Sequence, residues 1–295
     1  MLKLNESQLV KMAVTGKIAN PVRFSTFELD HEGRGHAVPS VGGIVYNVKV
    51  GDPAFGWRGD HIEPGVSLVF DEEKRNGGPN RAFNFLSCIG NEITVTTGAA
   101  KGAKGVVTGI HGGVEHVIAD FEQKTLEKLI GDEKFLIRAL GQGLQIQECP
   151  LVFCYNLDPA LLKKMRVKIK AGGGLEVPVT HKIPSAIMGS GIGHPDPGSG
   201  DYDITTQDAK TVRRLGLETL RFGDFVAITD ADNTYGRHYY EGAVTIAIVS
   251  HSDSFISGHG PGLTTLLSSK GGKIKPVIDA RANLGKVLGI GRFRS

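Results

Sequence analysis

Glycine constrains this chain more than any other residue, occupying 41 of 295 positions, about twice its ordinary share of roughly 7%. No Gly-X-Y period runs through them, which excludes a collagen helix. A residue without a Cβ weakens helix interiors and serves turns, bulges and close backbone approaches. The fold expected is therefore β-rich rather than a helical bundle. The remaining composition is globular, with 40% hydrophobic and 22% charged residues, and excludes wholesale disorder. A chain of this length is expected to form two domains.

Alternation at Ile44, Tyr46, Val48 and Val50 predicts a half-buried strand over 41–50. The runs 65–70, 91–97, 114–121, 134–140 and 151–155 read likewise, interrupted by one short helix over 122–130. Asp158 followed by Pro159 is a helix start and predicts a helix to Met165. With the glycine run that follows, the boundary falls near 156–175. The organisation expected is α+β: a β-rich domain over 1–157 and a mixed α/β domain with His/Asp-rich loops over 158–295. In the second half, Thr205 with Asp208 three residues on predicts a capping box and a helix to Leu215. Strands are expected over 225–229, 242–250 and 275–279, and the loop Gly258-His-Gly-Pro-Gly262 is expected to open a helix over 263–269.

The 34 basic and 31 acidic residues are interspersed, which argues against a nucleic-acid partner. The cluster Lys163, Lys164, Arg166, Lys168 and Lys170 reads as a solvated face. Three cysteines fit neither a disulfide framework nor a Cys-x-x-Cys knuckle, so a reducing cytoplasm is expected. Cys88, flanked by Leu86 and Ile89, reads as a small buried hydrophobe. No signal-peptide stretch opens the chain, and no apolar run is long enough to span a membrane. Long apolar strands with uncovered edges predict a homo-oligomer.

In the first half, residues 98–121 read GAAKGAKGVVTGIHGGVEHVIADF. This resembles the KOW-type segment of small SH3-like barrels, and the resemblance implies an antiparallel hairpin within a barrel. In that family basic residues meet RNA; here only Lys101 and Lys104 are available, offset by Glu115 and Asp120. The alternative function is accordingly a non-catalytic RNA- or protein-binding module. Asp60-His61 and the Gly78-Pro79-Asn80-Arg81 run add polar loop groups, and Arg81 with Asn80 and Asn84 forms either a carboxylate-binding fork or a surface turn.

Five of the ten histidines lie between His181 and His259, interleaved with Asp196, Asp201, Asp203, Asp230, Asp232 and Asp253. His194/Asp196, Asp201/Asp203, Asp230/Asp232 and His251/Asp253 share an i, i+2 spacing, which puts both side chains on one face of an extended segment. Imidazole and carboxylate together suit a divalent metal. The expectation is a small-molecule pocket with His251, Asp253 and Asp232 as metal ligands and His194 or His238 as general base. Metal-assisted hydrolysis or a lyase step is the concrete version. Gly258, Gly260 and Gly262 are expected to take an anionic cofactor or ligand if a helix begins there. No phosphate-binding loop, dinucleotide fingerprint or Gly-x-Ser-x-Gly elbow is present.

With NRAFNFLSCIGNE, AKGAKGVVTGIHGG, GDYDITTQD, DADNTYGRHYYEGAV and SGHGPG in view, the chain resembles, from about Asn20 to its end, a prokaryotic family known only as a domain of unknown function. That likeness implies no activity. A fainter one, over about 185–250, is to acetamidases and formamidases, which are metal-dependent amidohydrolases. Gly200-Asp201 and the stretch from Gly223-Asp224 to Asp232 carry it, without the later Gly-Asp-Gly-Glu of those enzymes.

Overall fold

The computed structural model describes residues 2–23 and 25–295. In the first half six antiparallel strands close on themselves. Met12–Ile18 lies beside Lys134–Ala139, followed by Glu92–Val95, Lys104–His111, His116–Asp120 and Gly65–Val69, which returns to pair with Met12–Ile18. Closure removes the sheet edges. Side-chain alternation sets the inner face: Phe135, Ile137 and Ala139 are buried, whereas Lys134 and Arg138 are exposed. The barrel and the hairpin expected over 98–121 are both present, the hairpin bulged between Val107 and Gly109.

The second half builds an open sheet in the order Phe153–Cys154, Gly262–Ser269, His238–Val249, Phe225–Asp232 and His181–Pro184. A short strand, Tyr202–Asp203, also pairs with Gly262–Ser269. Only the pair His181–Pro184 and Phe225–Asp232 is parallel in this sheet. A three-stranded sheet of Lys168–Lys170, Gly174–Val179 and Ile274–Ile278 flanks it. Among the described residues the α-helices are short, and none is long and apolar enough to cross a membrane. The β-rich class follows the glycine-heavy composition.

Several local expectations are corrected. Residues 263–269 form a strand, not a helix: Gly262–Ser269 is buried along its whole length between neighbouring strands, and its β-branched Thr264 and Thr265 favour that conformation. Of 41–50 only Ile44–Val45 is strand, because Gly42 and Gly43, at φ of 92° and 86°, bend the chain. The helix over 122–130 is limited to Gln123–Leu126. Asp208, not Thr205, caps Ala209–Leu215 by accepting from Lys210 N; the Thr205 hydroxyl donates to the Ile187 carbonyl instead. Gly78–Leu86 is a helix rather than a loop, and its Asn80 and Asn84 are buried against backbone groups of Phe70 and Glu115. They form no fork with Arg81.

Barrel and sheet share one hydrophobic core, with Val107 and Ile137 from the barrel and Ile248, Leu266 and Leu267 from the sheet. The docking is direct. The Thr264 hydroxyl donates to the Ile110 carbonyl at 3.0 Å and accepts from Ile110 N at 3.2 Å. The barrel strand ending at His111 thereby meets the sheet beside His251.

Candidate metal centre

Six side chains from both halves converge where barrel meets sheet. His61 precedes the strand Gly65–Val69, and its φ of 49° is a strained conformation for a residue with a Cβ. His111 ends its barrel strand, and His251 lies two residues past Val249. His259 comes from the glycine loop. Asp201 and Asp203 flank Tyr202, so their i, i+2 spacing aims both carboxylates one way. Pairing of Asp203 with Gly262 sets them over that glycine. A Cβ on Gly262 would lie 2.1 Å from both Asp201 Oδ2 and His251 Nε2, so no larger residue fits beneath the cluster.

The ligand atoms form two groups, His61/Asp203/His259 and His111/Asp201/His251, each within 4.8 Å of mutual separation. In the first, His61 Nε2 and His259 Nδ1 are 3.0 Å apart, and Asp203 Oδ2 lies 3.5 and 3.0 Å from them. Donors about 2.0–2.1 Å from a tetrahedral metal are themselves about 3.3–3.4 Å apart, so the spacing suits an ion at their centre. In the second, His251 Nε2 lies 3.0 Å from Asp201 Oδ2 without the alignment of a hydrogen bond, and it is a fully buried ring nitrogen lacking such a partner. Buried polar atoms are rarely left so.

The other face of each of three rings is fixed. His61 Nδ1 bonds Asp60 Oδ2 at 2.6 Å, His111 Nδ1 bonds Glu63 Oε1 at 2.6 Å, and His251 Nδ1 bonds the Ser252 carbonyl at 2.9 Å. With the proton held at Nδ1, each ring presents an Nε2 lone pair whenever it is neutral. Metal-binding histidines are oriented in this way by carboxylates and carbonyls. Glu63 is itself held by His116 Nδ1 at 2.9 Å, Gly42 N at 3.0 Å and the Ser67 hydroxyl.

Burial disfavours charge on all these groups, and opposite charges decide the balance. Asp203 is held well below the usual carboxylate range by the adjacent rings of His251, His259 and His61 despite its burial. Asp201 is lowered by the charges of His251 and His111, and Glu63 well below its ordinary value by His116 and His111. Burial lowers the imidazolium form of His251 and His61, but the carboxylates prevail: His251 is raised well above its ordinary value by Asp201 and Asp203, and His61 to about 8 by Asp203 and Asp60. Burial and the charge of His251 lower His111. Four buried carboxylates in one place demand cations or protons.

A cavity of about 300 Å³ opens on the cluster, walled by Gly112, Gly113, Ser190, Gly191, Ser199 and Gly200 together with Glu115 and His194. Glu115 sits at φ 57°, and burial, aided by the charge of Asp201, raises its carboxyl. Arg237 is buried and donates to the carbonyls of Asp201 and Ser199, which pins the loop that carries the aspartates.

Of the residues named from sequence, His251 lies in the cluster and His194 lines the cavity. Asp253 and Asp232 belong to neither group: the Asp253 carboxylate accepts from Thr206, and Asp232 accepts from Thr234. His238 is half-exposed, 3.8 Å from Asp232, and does not line the cavity. Gly258 takes a positive φ of 77° and its carbonyl accepts from Ser190 N, Gly260 packs against the Ile204 carbonyl, and Gly262 begins a strand and so supplies no helix terminus for an anion. His61, Glu63 and His111 were not singled out by sequence spacing. The only signal for them was the pairing of Asp60-His61 with Glu63 two residues on, and of His111 with His116.

The family known as domain of unknown function DUF4438 matches in two parts, its N-terminal part over residues 27–163 and its C-terminal part over 164–288. The chain belongs to this family. A solved crystal structure, that of TM1086, is 44% identical, with a TM-score of 0.90, and the match covers 96% of this chain and 97% of that one. No curated protein matches the chain, and the comparisons show no acetamidase or formamidase.

Proposed function

We propose that this member of DUF4438 is a metal-dependent enzyme acting on a small molecule, with hydrolysis the reaction its geometry suits best. One observation carries the reading: three imidazoles, each with Nδ1 held by an acceptor, converge on two aspartates, and the buried Nε2 of His251 has no hydrogen-bond partner. Mixed nitrogen and oxygen donors favour zinc, manganese, iron or cobalt over magnesium and calcium. A metal held there would polarise a carbonyl and lower the pKa of a bound water. Glu115 and His194, on the cavity wall and outside both ligand groups, are placed to move protons. The cavity is at the small end of the roughly 300–1,000 Å³ range of ligand pockets, so the substrate is compact.

The test is to purify the chain without chelator or affinity tag, strip it with chelator, and assay small amides, esters and ureas before and after restoring zinc or manganese. Turnover that disappears on stripping and returns with metal supports the proposal. Protein that takes up no metal refutes it.

A further inference from the structure

We infer that the cluster holds two divalent cations bridged by Asp203, an enclosed inner ion and an exchangeable outer one; this rests on the metal-centre reading above. The two ligand groups are not alternatives for one ion, because they draw on different residues and meet at a single carboxylate. Asp203 divides its oxygens between them: Oδ2 lies 3.0 Å from His259 Nδ1, while Oδ1 lies 3.4 Å from His251 Nε2 in the other group. A carboxylate turned in this way spans the separation of about 3.5–4 Å found in two-metal hydrolytic sites.

The enclosure of the two groups differs. The side chains of His111, Asp201 and His251 are 7%, 4% and 0% exposed, whereas His259 in the other group is 31% exposed. In the inner group Gly112 N anchors the Asp201 carboxylate at 2.8 Å, and His111 and Asp201 line the cavity while His251 lies behind them, off its wall. The outer group lines the cavity with all three of its residues, His61, Asp203 and His259. It supplies three protein ligands, and three leave a tetrahedral ion one open position for water or substrate. Charge supports two ions. Asp60, Glu63, Asp201 and Asp203 are all buried carboxylates, and among the described residues the only buried guanidinium is that of Arg237, which is committed to the backbone carbonyls of Asp201 and Ser199. One dication leaves the site anionic; two leave it able to take up a hydroxide or a substrate oxyanion.

The experiment titrates cobalt(II) into chelator-stripped protein, following d–d absorbance and measuring bound metal by mass spectrometry. Wild type should bind two equivalents in separate steps. His259→Ala, altering only the more exposed group, should keep the tighter step and lose the weaker at least tenfold, with circular dichroism unchanged. Asp203→Asn should weaken both steps. Because either variant could affect folding, manganese(II)-loaded wild type provides a second readout: a spin-coupled electron paramagnetic resonance spectrum is expected. Saturation at one equivalent, or an uncoupled manganese spectrum, overturns the two-ion inference and leaves the metal centre standing. Binding of no metal overturns both.

Discussion

Glu63→Gln isolates the buried carboxylate behind His111, one of the proposed metal ligands. Glu63 is fully buried and takes four donors on two oxygens: His111 Nδ1 on Oε1, His116 Nδ1 across both, and Gly42 N and the Ser67 hydroxyl on Oε2. Glutamine keeps the shape but has one oxygen and one NH₂ group. If the NH₂ replaces Oε2, it faces the Gly42 N–H. If it replaces Oε1, it faces His111 Nδ1, and the ring can accept only by moving its proton to Nε2, the atom needed for metal. Losing one charge-assisted bond costs about 1.5–3 kcal/mol, and stranding a buried donor about 1–3 kcal/mol more, so a total near 3–5 kcal/mol is expected for the metal-free chain. Loss of the carboxylate behind a metal ligand should also weaken metal binding by about 10–100-fold. Urea unfolding of stripped protein measures the first quantity, and competition with a chelator of known affinity the second. A stable Glu63→Gln chain with unchanged metal affinity would refute the reasoning that Glu63 orients His111.

Gly262→Ala should abolish metal uptake while costing about 1–3 kcal/mol, because the added methyl displaces His251 and Asp201 without straining the backbone; retained metal content would count against it. Glu115→Gln should leave metal content intact and lower turnover on whatever substrate is found by about 10²–10⁴-fold; equal turnover removes Glu115 from the chemistry. For the metal-free chain, His61 has a folded pKa of about 8, above its unfolded value of 6.5. Its contribution, of order 2 kcal/mol, is full below pH 6.5 and lost as pH rises through about 8. Asp201, Asp203 and Glu63 are lowered, so their contribution is present above their unfolded values near 4 and lost on acidification below them. Thermal unfolding of stripped protein should therefore show stability falling between pH 6.5 and 8; a rise across that window contradicts the assignment. Burial raises the Cys88 and Cys154 thiols to about 12 and raises Cys149, so native protein should resist a thiol reagent at pH 8 and react fully once unfolded. Rapid reaction of the native chain is the contrary result.

Strand periodicity carried much of the fold. The hairpin over 98–121 was readable because two apolar runs flank a Gly-Gly turn, and the Asp158-Pro159 helix start because its cap is local: Asp158 accepts from Ala160 N at 2.6 Å. The strand Gly262–Ser269 was not, since a continuous apolar run after a Gly-Pro turn fits a buried helix or strand equally, and only pairing with Tyr202–Asp203 and His238–Val249 decides. The site divides likewise. The Asp201/Asp203 spacing was legible because both lie in one short extended segment. His251 and Asp253 share that spacing, but the strand stops at Val249, and the turn beyond sends Asp253 to Thr206 instead. His61 and His111 join the cluster from positions 140 and 90 residues before Asp201, a proximity created by docking of the barrel on the sheet. No local pattern encodes such a contact.

The proposed metal lies in the His/Asp cluster between barrel and sheet. Anomalous diffraction, recorded above and below the zinc and manganese edges on crystals of untagged protein prepared without chelator, tests it most directly. Anomalous density is expected among His61, His111, Asp201, Asp203, His251 and His259, within about 2.0–2.2 Å of their ligand atoms. Density bound elsewhere on the molecule, with these six side chains bonded only to one another after metal soaking, would contradict it.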